Sequence, residues 1–169
     1  VVDNTTGRQV ATLRRRYDED AFARQCMCLG YWYNTALLGI EVNFSTFPVK
    51  ECQRLGYPRL YTRETEDRYT LHYEKRYGFR TTSLTRPLLV AGLVQQMRQF
   101  PDSVPDATTL REMLSFVKNE RGRAEAMAGT HDDCVMALAI AHYIRPQQAY
   151  TAQTETDFGA ELDSFLNFC

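Results

Sequence analysis

The sequence predicts an α/β fold in which short strands alternate with helices. The strongest observation is a nearly apolar segment at residues 36–43, rich in branched side chains and bounded by polar turns. Such a segment is typical of a strand that is buried on both faces. A helix follows it directly, beginning at Ser45 or Thr46 and ending at Gly56. A strand followed by a helix is the order found in layered α/β proteins.

The residues before this strand predict a hairpin and a helix. Residues 1–13 contain two short strands joined by a polar turn, in which Gly7 can adopt a positive φ. Asp18 has the side chain of a helix N-cap, and apolar residues follow it at helical spacing as far as about Leu29. We therefore expect a hairpin and then one helix in this part of the chain.

The remainder of the chain predicts mostly helices. Residues 57–84 are dense in Tyr and charge, and they indicate a short strand at 60–61 followed by a loop or hairpin. Phe116 and Val117 form a further candidate strand. Three more helices are predicted, and their starts are Thr85–Pro87, Asp106, and Thr130 or His131.

Length and composition indicate one soluble domain with a tail. The 169 residues suit a single domain, which we assign to residues 1–145, and residues 146–169 predict an acidic, mobile tail. No apolar run approaches the ~20 residues needed to cross a bilayer, and the first residues lack the order of a secretory signal. The five cysteines have unrelated spacings, so we expect free thiols in a reducing cell interior.

The net charge of -1 hides an uneven distribution of charge. Residues 1–100 carry 15 basic and 10 acidic side chains, whereas residues 101–169 carry 5 and 11. A basic body is compatible with a phosphate-bearing partner, and an ordinary solvated surface gives the same pattern. The basic side chains in and around the Tyr-rich stretch could contact DNA phosphates, and they are Arg59, Arg63, Arg68, Lys75, Arg76, Arg80 and Arg86.

Two groups of acids are candidate metal ligands. Glu41 interrupts the apolar segment, and a buried carboxylate needs a cation beside it unless it lies at the strand end and points to solvent. Asp132 and Asp133 lie in the first turn of the last helix, where acids also cap and stabilise a helix. Carboxylate oxygens suit Mg²⁺ or Mn²⁺, and two such ions would promote phosphodiester hydrolysis. His131 beside them could position water, protonate a leaving group or cap the helix.

Several groups of residues occur in a recognisable order along the chain. They are Ala36–Asn43, Leu55–Tyr61, Gly78–Thr81 leading to Thr85–Pro87, and Gly129–Asp133 with Met136–Ala141. In this order they resemble the C-terminal nuclease domain of the large terminase subunit of tailed bacteriophages. The resemblance spans about residues 1–145, and the order makes it more specific than any one motif.

The resemblance implies a ribonuclease H-like fold, with a central mixed β-sheet flanked by α-helices, and a two-metal endonuclease site for Mg²⁺ or Mn²⁺. By resemblance, Glu41 matches the acid of the second conserved strand, and Asp133, with Asp132 beside it, matches the acids at the last helix. The implied substrate is concatemeric double-stranded viral DNA in the cytoplasm of an infected bacterium. The implied partners are the ATPase domain of the same parent chain, the portal protein and the small terminase subunit, without a membrane.

One residue of the family pattern has no counterpart in this sequence. The family's first metal-binding Asp lies on a strand upstream of the hairpin that begins here at Val1, and Asp3 does not replace it, since Asp3 lies in the hairpin turn before Gly7. We therefore expect this chain by itself to bind metal weakly and to cleave poorly. Two alternatives stay open, namely a related junction-resolving or transposase-like nuclease and a non-catalytic module that binds DNA or the portal.

Overall fold

The computed structural model describes residues 1–66, 73–120 and 122–148 of the chain. These residues form five α-helices and two two-stranded antiparallel sheets, so the prediction of a mixed α/β chain is confirmed. In chain order the elements are α1 (Glu19–Trp32), α2 (Phe47–Arg54), β1 (Thr62–Glu66), β2 (Tyr73–Tyr77), α3 (Thr85–Gln99), α4 (Ala107–Leu114), β3 (Phe116–Lys118), β4 (Ala124–Ala126) and α5 (Asp133–Ile144). Short 3₁₀ turns occupy Pro101–Ser103 and Arg145–Gln147.

The chain divides into two compact units. Unit 1 comprises Val1–Arg15 and Thr81–Pro146, and unit 2 comprises Arg16–Arg80 and the chain from Gln147 onward. Unit 1 therefore contains α3, α4, α5 and the β3–β4 pair, whereas unit 2 contains α1, α2 and the β1–β2 hairpin.

Unit 1 is organised around the apolar helix α5. Seven of the twelve residues of α5 are buried, on several sides of the helix, and α5 packs against α3 and α4. Leu89 and Leu93 are the buried residues that α3 contributes. The small side chains of α5, such as the buried Ala139, thus allow close packing of helices in this unit.

The first residues of unit 1 form the predicted hairpin turn. Val2 and Gln9 make an antiparallel bridge, and Gly7 has a φ of 73° in the turn between them. The Asp3 carboxylate accepts hydrogen bonds from the backbone N–H of Thr5 and the hydroxyl of Thr6, at 2.9 and 2.5 Å. These bonds hold the pKa of Asp3 below its ordinary value. Asp3 is therefore a turn-forming residue, as the sequence predicts.

Unit 2 has its own core between α1, α2 and the extended segments that follow them. Ala23 and Met27 of α1 are fully buried, and so is Cys52 of α2. Tyr57 packs in the same cluster, against Gly30 of α1, where a Cβ would meet the phenol oxygen and ring. Helix α1 continues beyond the predicted end at about Leu29, as far as Trp32, and Gly30 within it makes room for the tyrosine.

The segment at residues 36–43 differs from its prediction. It makes two isolated parallel bridges, Leu38 with Leu60 and Glu41 with Phe79, and it is not a regular strand. Within this segment only Ile40 is buried, and Glu41 is exposed. The prediction of a strand buried on both faces is therefore wrong, because two different segments each pair with it over a single residue.

The β1–β2 hairpin begins at Thr62, where the sequence left a loop or a hairpin open, and Leu60 of the predicted short strand makes an isolated bridge with Leu38. Arg63 pairs with Arg76 and Glu64 with Lys75 across the two strands. Because side chains alternate between the faces of a strand, the two arginines share one face, and Glu64 and Lys75 share the other.

Three further predictions concern the cysteines, the acidic tail and the absence of a segment that crosses a bilayer. Cys28 is disulfide-bonded, so the prediction of five free thiols is wrong. Residues 149–169, with nearly all of the predicted mobile tail, lie outside the described part of the chain. No helix in the described ranges is long and apolar enough to cross a membrane. Among the described cysteines, Cys26, Cys52 and Cys134 are free thiols.

Candidate functional site

The amino end of α5 is capped by a residue from another helix. Glu112 of α4 is 6% exposed, and its Oε2 accepts hydrogen bonds from the backbone N–H groups of Cys134 and Val135, at 2.7 and 3.3 Å. A carboxylate at this position neutralises free N–H groups and the positive end of the helix dipole. Asp132, the N-cap residue by position, makes no side-chain capping bond. The predicted capping role thus belongs to Glu112.

Asp132 is instead held by an arginine of α3. Arg86 Nη2 donates to Asp132 Oδ2 at 2.6 Å, with 17% and 26% of the two side chains exposed. The same guanidinium donates to the carbonyl of Ala124 and lies 6.0 Å from the centre of the Phe116 ring. Arg86, a predicted DNA contact, therefore links α3 to the acidic start of α5 and to the β3–β4 pair.

Asp133 and His131 are exposed on either side of Asp132. Neither side chain forms a hydrogen bond or ion pair with another described residue. Since Glu112 caps α5, the Asp133 carboxylate is not used for that purpose. Its oxygens are accessible for a cation.

Glu41 belongs to unit 2 and lies in the bridge with Phe79. Its side chain is exposed and has no hydrogen-bond or ion-pair partner among the described residues. Glu41 is therefore not a buried carboxylate that needs a cation beside it, and the alternative that it points to solvent is correct. An exposed carboxylate remains a chemically suitable ligand for a hard cation.

The metal ligands predicted from the sequence suit Mg²⁺ or Mn²⁺ by donor type, because all are carboxylates. Glu41 and Asp133 are exposed, whereas Asp132 has one oxygen committed to Arg86. The described residues contain no group of three or more His, Cys, Asp or Glu side chains that could hold a metal ion. The predicted acids are therefore candidate ligands by donor type alone.

A cluster of arginines lies on the β1–β2 hairpin and just after it. Arg63 and Arg76 face each other across the strands. The pKa of Arg63 lies below its ordinary value, mainly because of burial and then because of the positive charges of Arg80 and Arg76. Arg63 is fixed by donating to the carbonyls of Tyr77 and Gly78 at 2.9 and 2.5 Å. Like charges opposite each other destabilise a strand pair, so an external anion would relieve the repulsion.

The other predicted DNA contacts occupy different positions. Arg59 and Lys75 line a cavity of unit 2, and Arg68 lies outside the described residues. Arg76 makes an exposed ion pair with Glu74 at 3.2 Å, which an anion can compete with at little cost. Among the predicted DNA contacts, Arg63 and Arg76 thus share one face of the hairpin, and Arg59 and Lys75 line the cavity on its other face.

Sequence reasoning missed Glu112, the residue that caps α5. The signal was present, since Thr109 and Glu112 are three residues apart and so share one face of α4, where both are buried. An acid on the inward face of a helix needs donors, but the sequence does not say which ones. The donors lie 22 and 23 residues further along the chain.

No protein-family model matches this sequence, and no curated protein matches it either. The resemblance to terminase nucleases therefore depends on the order of short motifs in the chain itself.

Proposed function

We propose that this chain is the metal-dependent endonuclease part of a large terminase subunit, with a ribonuclease H-like fold, that cuts concatemeric double-stranded DNA during viral packaging. The observation that carries the proposal is the acidic start of α5. Asp133 is exposed and unused there because Glu112 caps the helix. An acid that neither caps nor pairs, in the sequence Gly-Thr-His-Asp-Asp, interacts favourably with the helix dipole from the first turn and leaves its carboxylate available to a ligand.

The roles follow from the state of each side chain. Glu41 and Asp133 are the direct metal ligands, because their carboxylates are accessible and without a partner among the described residues. Asp132 is a second-site ligand through the oxygen that Arg86 does not bind. His131 is an auxiliary group that could orient water or protonate the leaving oxygen. A bound pair of divalent ions would supply an activated water and stabilise the departing oxygen.

DNA contact falls to the basic residues of unit 2. The paired arginines Arg63 and Arg76, with Arg80 close enough to lower the pKa of Arg63, form a concentrated positive charge. Guanidinium groups bind phosphate oxygens in a fixed fork, and such contacts hold DNA without reading its sequence. A nuclease that cuts without strong sequence preference needs contacts of this kind.

A second candidate is a non-catalytic module that binds DNA or the portal. The ion pair between Arg86 and Asp132 favours it, because a guanidinium on one carboxylate oxygen competes with a metal ion for that carboxylate. In this candidate the arginines of the hairpin keep their role. The acids at α5 then serve only to attach α3 to the start of that helix.

Plasmid cleavage distinguishes the two candidates. Supercoiled plasmid is incubated with Mn²⁺ and either this chain or the chain extended upstream, and nicked and linear products are quantified. We expect slow cutting by this chain, faster cutting by the extended one, and at least about tenfold loss in Glu41→Gln and Asp133→Asn. Glu120→Gln, an exposed acid outside the motifs, is the matched control.

Cutting that survives both Glu41→Gln and Asp133→Asn would overturn the proposed ligands. DNA binding by both chains, without Mn²⁺-dependent cutting by either, would favour the non-catalytic module.

A further inference from the structure

Unit 2 contains a cavity of about 480 Å³ that the proposed nuclease chemistry does not use. Leu37 and Leu60 give it an apolar surface, and Arg59 and Lys75 give it two cationic groups. This volume lies within the roughly 300–1,000 Å³ range of small-molecule sites, which combine apolar walls with a few placed polar groups. The cavity is therefore suited in size and composition to a ligand with an apolar body and a charged end.

One wall of the cavity is the face of the β1–β2 hairpin opposite the arginine pair. Thr62 and Glu64 line the cavity and are two residues apart, so they share a face of β1, and Lys75 lies directly across from Glu64. Arg63 and Arg76 occupy the other face by the same alternation. The hairpin thus presents separate sets of cationic side chains on its two faces.

Another wall is held in place by two glutamines that follow α5. Gln147 Oε1 accepts from the backbone N–H of Thr62 at 2.8 Å, and its Nε2 donates to the Thr62 carbonyl at 2.9 Å. Gln148 Oε1 accepts from the backbone N–H of Leu37 at 2.8 Å. Three hydrogen bonds to main-chain groups fix these side chains, so this side of the cavity is formed before any ligand arrives.

The charges in the cavity favour an anion. Arg59 and Lys75 are positive and Glu64 is negative, so the lining has a net charge of one positive unit. Lys75 and Glu64 are cross-strand neighbours, yet neither forms an ion pair with any described residue. An ammonium group without a counter-ion beside a cavity is a site for a phosphate oxygen.

We infer that this cavity binds a single nucleotide, with its phosphate between Arg59 and Lys75 and its sugar or base against Leu37 and Leu60. The inference goes beyond the proposed nuclease activity, because it requires neither a metal ion nor cleavage. The nucleotide can be a free nucleoside monophosphate or the 5′-phosphorylated end of a DNA strand, since both present the same phosphate and ring system.

The test is a binding titration of the whole chain without divalent metal, in which binding is measured by calorimetry or by changes in amide chemical shifts. The probes are deoxyadenosine monophosphate, inorganic phosphate, and one DNA duplex prepared with either a 5′-phosphate or a 5′-hydroxyl. Lys75→Gln removes the cation and should weaken binding at least about tenfold. Glu64→Gln removes the opposing charge and should strengthen binding. Lys50→Gln, an exposed lysine of α2 in the same unit, should leave the affinity unchanged.

The outcomes separate the two sources of the nucleotide. Lys75-dependent binding of the free nucleotide upholds the inference with a monophosphate as the ligand. A Lys75-dependent gain from the 5′-phosphate of the duplex upholds it with a DNA end as the ligand. Equal losses of affinity in Lys75→Gln and Lys50→Gln would overturn it. So would the absence of Lys75-dependent binding for both the free nucleotide and the 5′-phosphorylated duplex. Circular dichroism of each variant establishes that the fold is retained, and Glu64→Gln keeps the test decisive if Lys75→Gln unfolds.

Discussion

Arg86 and Asp132 form a 2.6 Å ion pair that connects helix α3 to the residue preceding α5, and both side chains are largely withdrawn from water. The pair determines where the acidic start of α5 lies within unit 1. The two neighbouring acids therefore have different surroundings, since Asp132 is tied to a guanidinium while Asp133 remains accessible.

Replacing Arg86 tests how much this ion pair contributes to the stability of the fold. Arg86→Gln leaves Asp132 without its cation and removes two hydrogen bonds to the Ala124 carbonyl, so the free energy of unfolding should fall by about 2 kcal/mol. Arg98→Gln, an exposed arginine of the same helix, should change it by less than about 0.5 kcal/mol. Urea denaturation measures both values. Equal losses in the two variants would contradict the assignment.

Glu112 should contribute to stability through its charge at the start of α5. Glu112→Gln keeps the shape and one acceptor oxygen but removes the anion that faces the Cys134 and Val135 N–H groups. We expect a loss of about 1–2 kcal/mol. Glu120→Gln is the matched control and should be nearly neutral, because Glu120 is exposed. A neutral Glu112→Gln in the same urea experiment would mean that the cap needs only an oxygen and no charge.

His142 should make the protein less stable in mild acid. Burial, and then Arg145, lower the pKa of His142 to about 4, from an ordinary 6.5 in the unfolded chain. Between these two pKa values the imidazole is protonated in the unfolded chain but neutral in the folded one. The free energy of unfolding therefore falls by up to about 3 kcal/mol as the pH drops from above 6.5 towards about 4. Chemical denaturation at pH 7 and pH 5 measures the difference.

The variant His142→Gln should remove that part of the pH dependence. His131→Gln should retain it, because His131 is exposed at the other end of α5. Identical pH profiles for the native chain and His142→Gln would show that another group is responsible.

Replacing either of two helical glycines by alanine should change the stability of the protein, and the two changes should have opposite signs. A Cβ at Gly30 would meet the hydroxyl and ring of the buried Tyr57, so Gly30→Ala should cost about 1–3 kcal/mol. A Cβ at Gly92 of α3 would meet nothing within 4 Å, so Gly92→Ala should stabilise by up to about 1 kcal/mol through helix propensity. Thermal unfolding of both variants checks the signs. Stabilisation by Gly30→Ala would refute the packing role of that glycine.

Local signals in the sequence predicted the parts of the fold that neighbouring residues determine. The Asp106 cap is an example, because its carboxylate accepts from the Thr109 N–H at 2.7 Å, three residues away. The turn at Gly7 is another, since it depends on one backbone angle. Such features need no knowledge of distant segments.

Long-range packing determined what the sequence did not reveal. The apolar segment around Ile40 has the composition of a buried strand, but which segments pair with it, and over how many residues, depends on the placement of Leu60 and Phe79. Glu112 likewise reaches α5 only in the folded chain. The acids at the candidate site were identified by residue type, whereas their exposure and their partners required the structure.

The most direct test of the proposed metal ligands is a Mn²⁺ titration followed by amide NMR. Paramagnetic Mn²⁺ broadens the resonances of residues close to where it binds, so it locates the ligands without requiring cleavage. We predict that resonances of residues 39–42 and of residues 131–134 broaden first, and that Glu41→Gln or Asp133→Asn weakens this early broadening. Broadening that begins at other acids, and that neither substitution changes, would contradict the account.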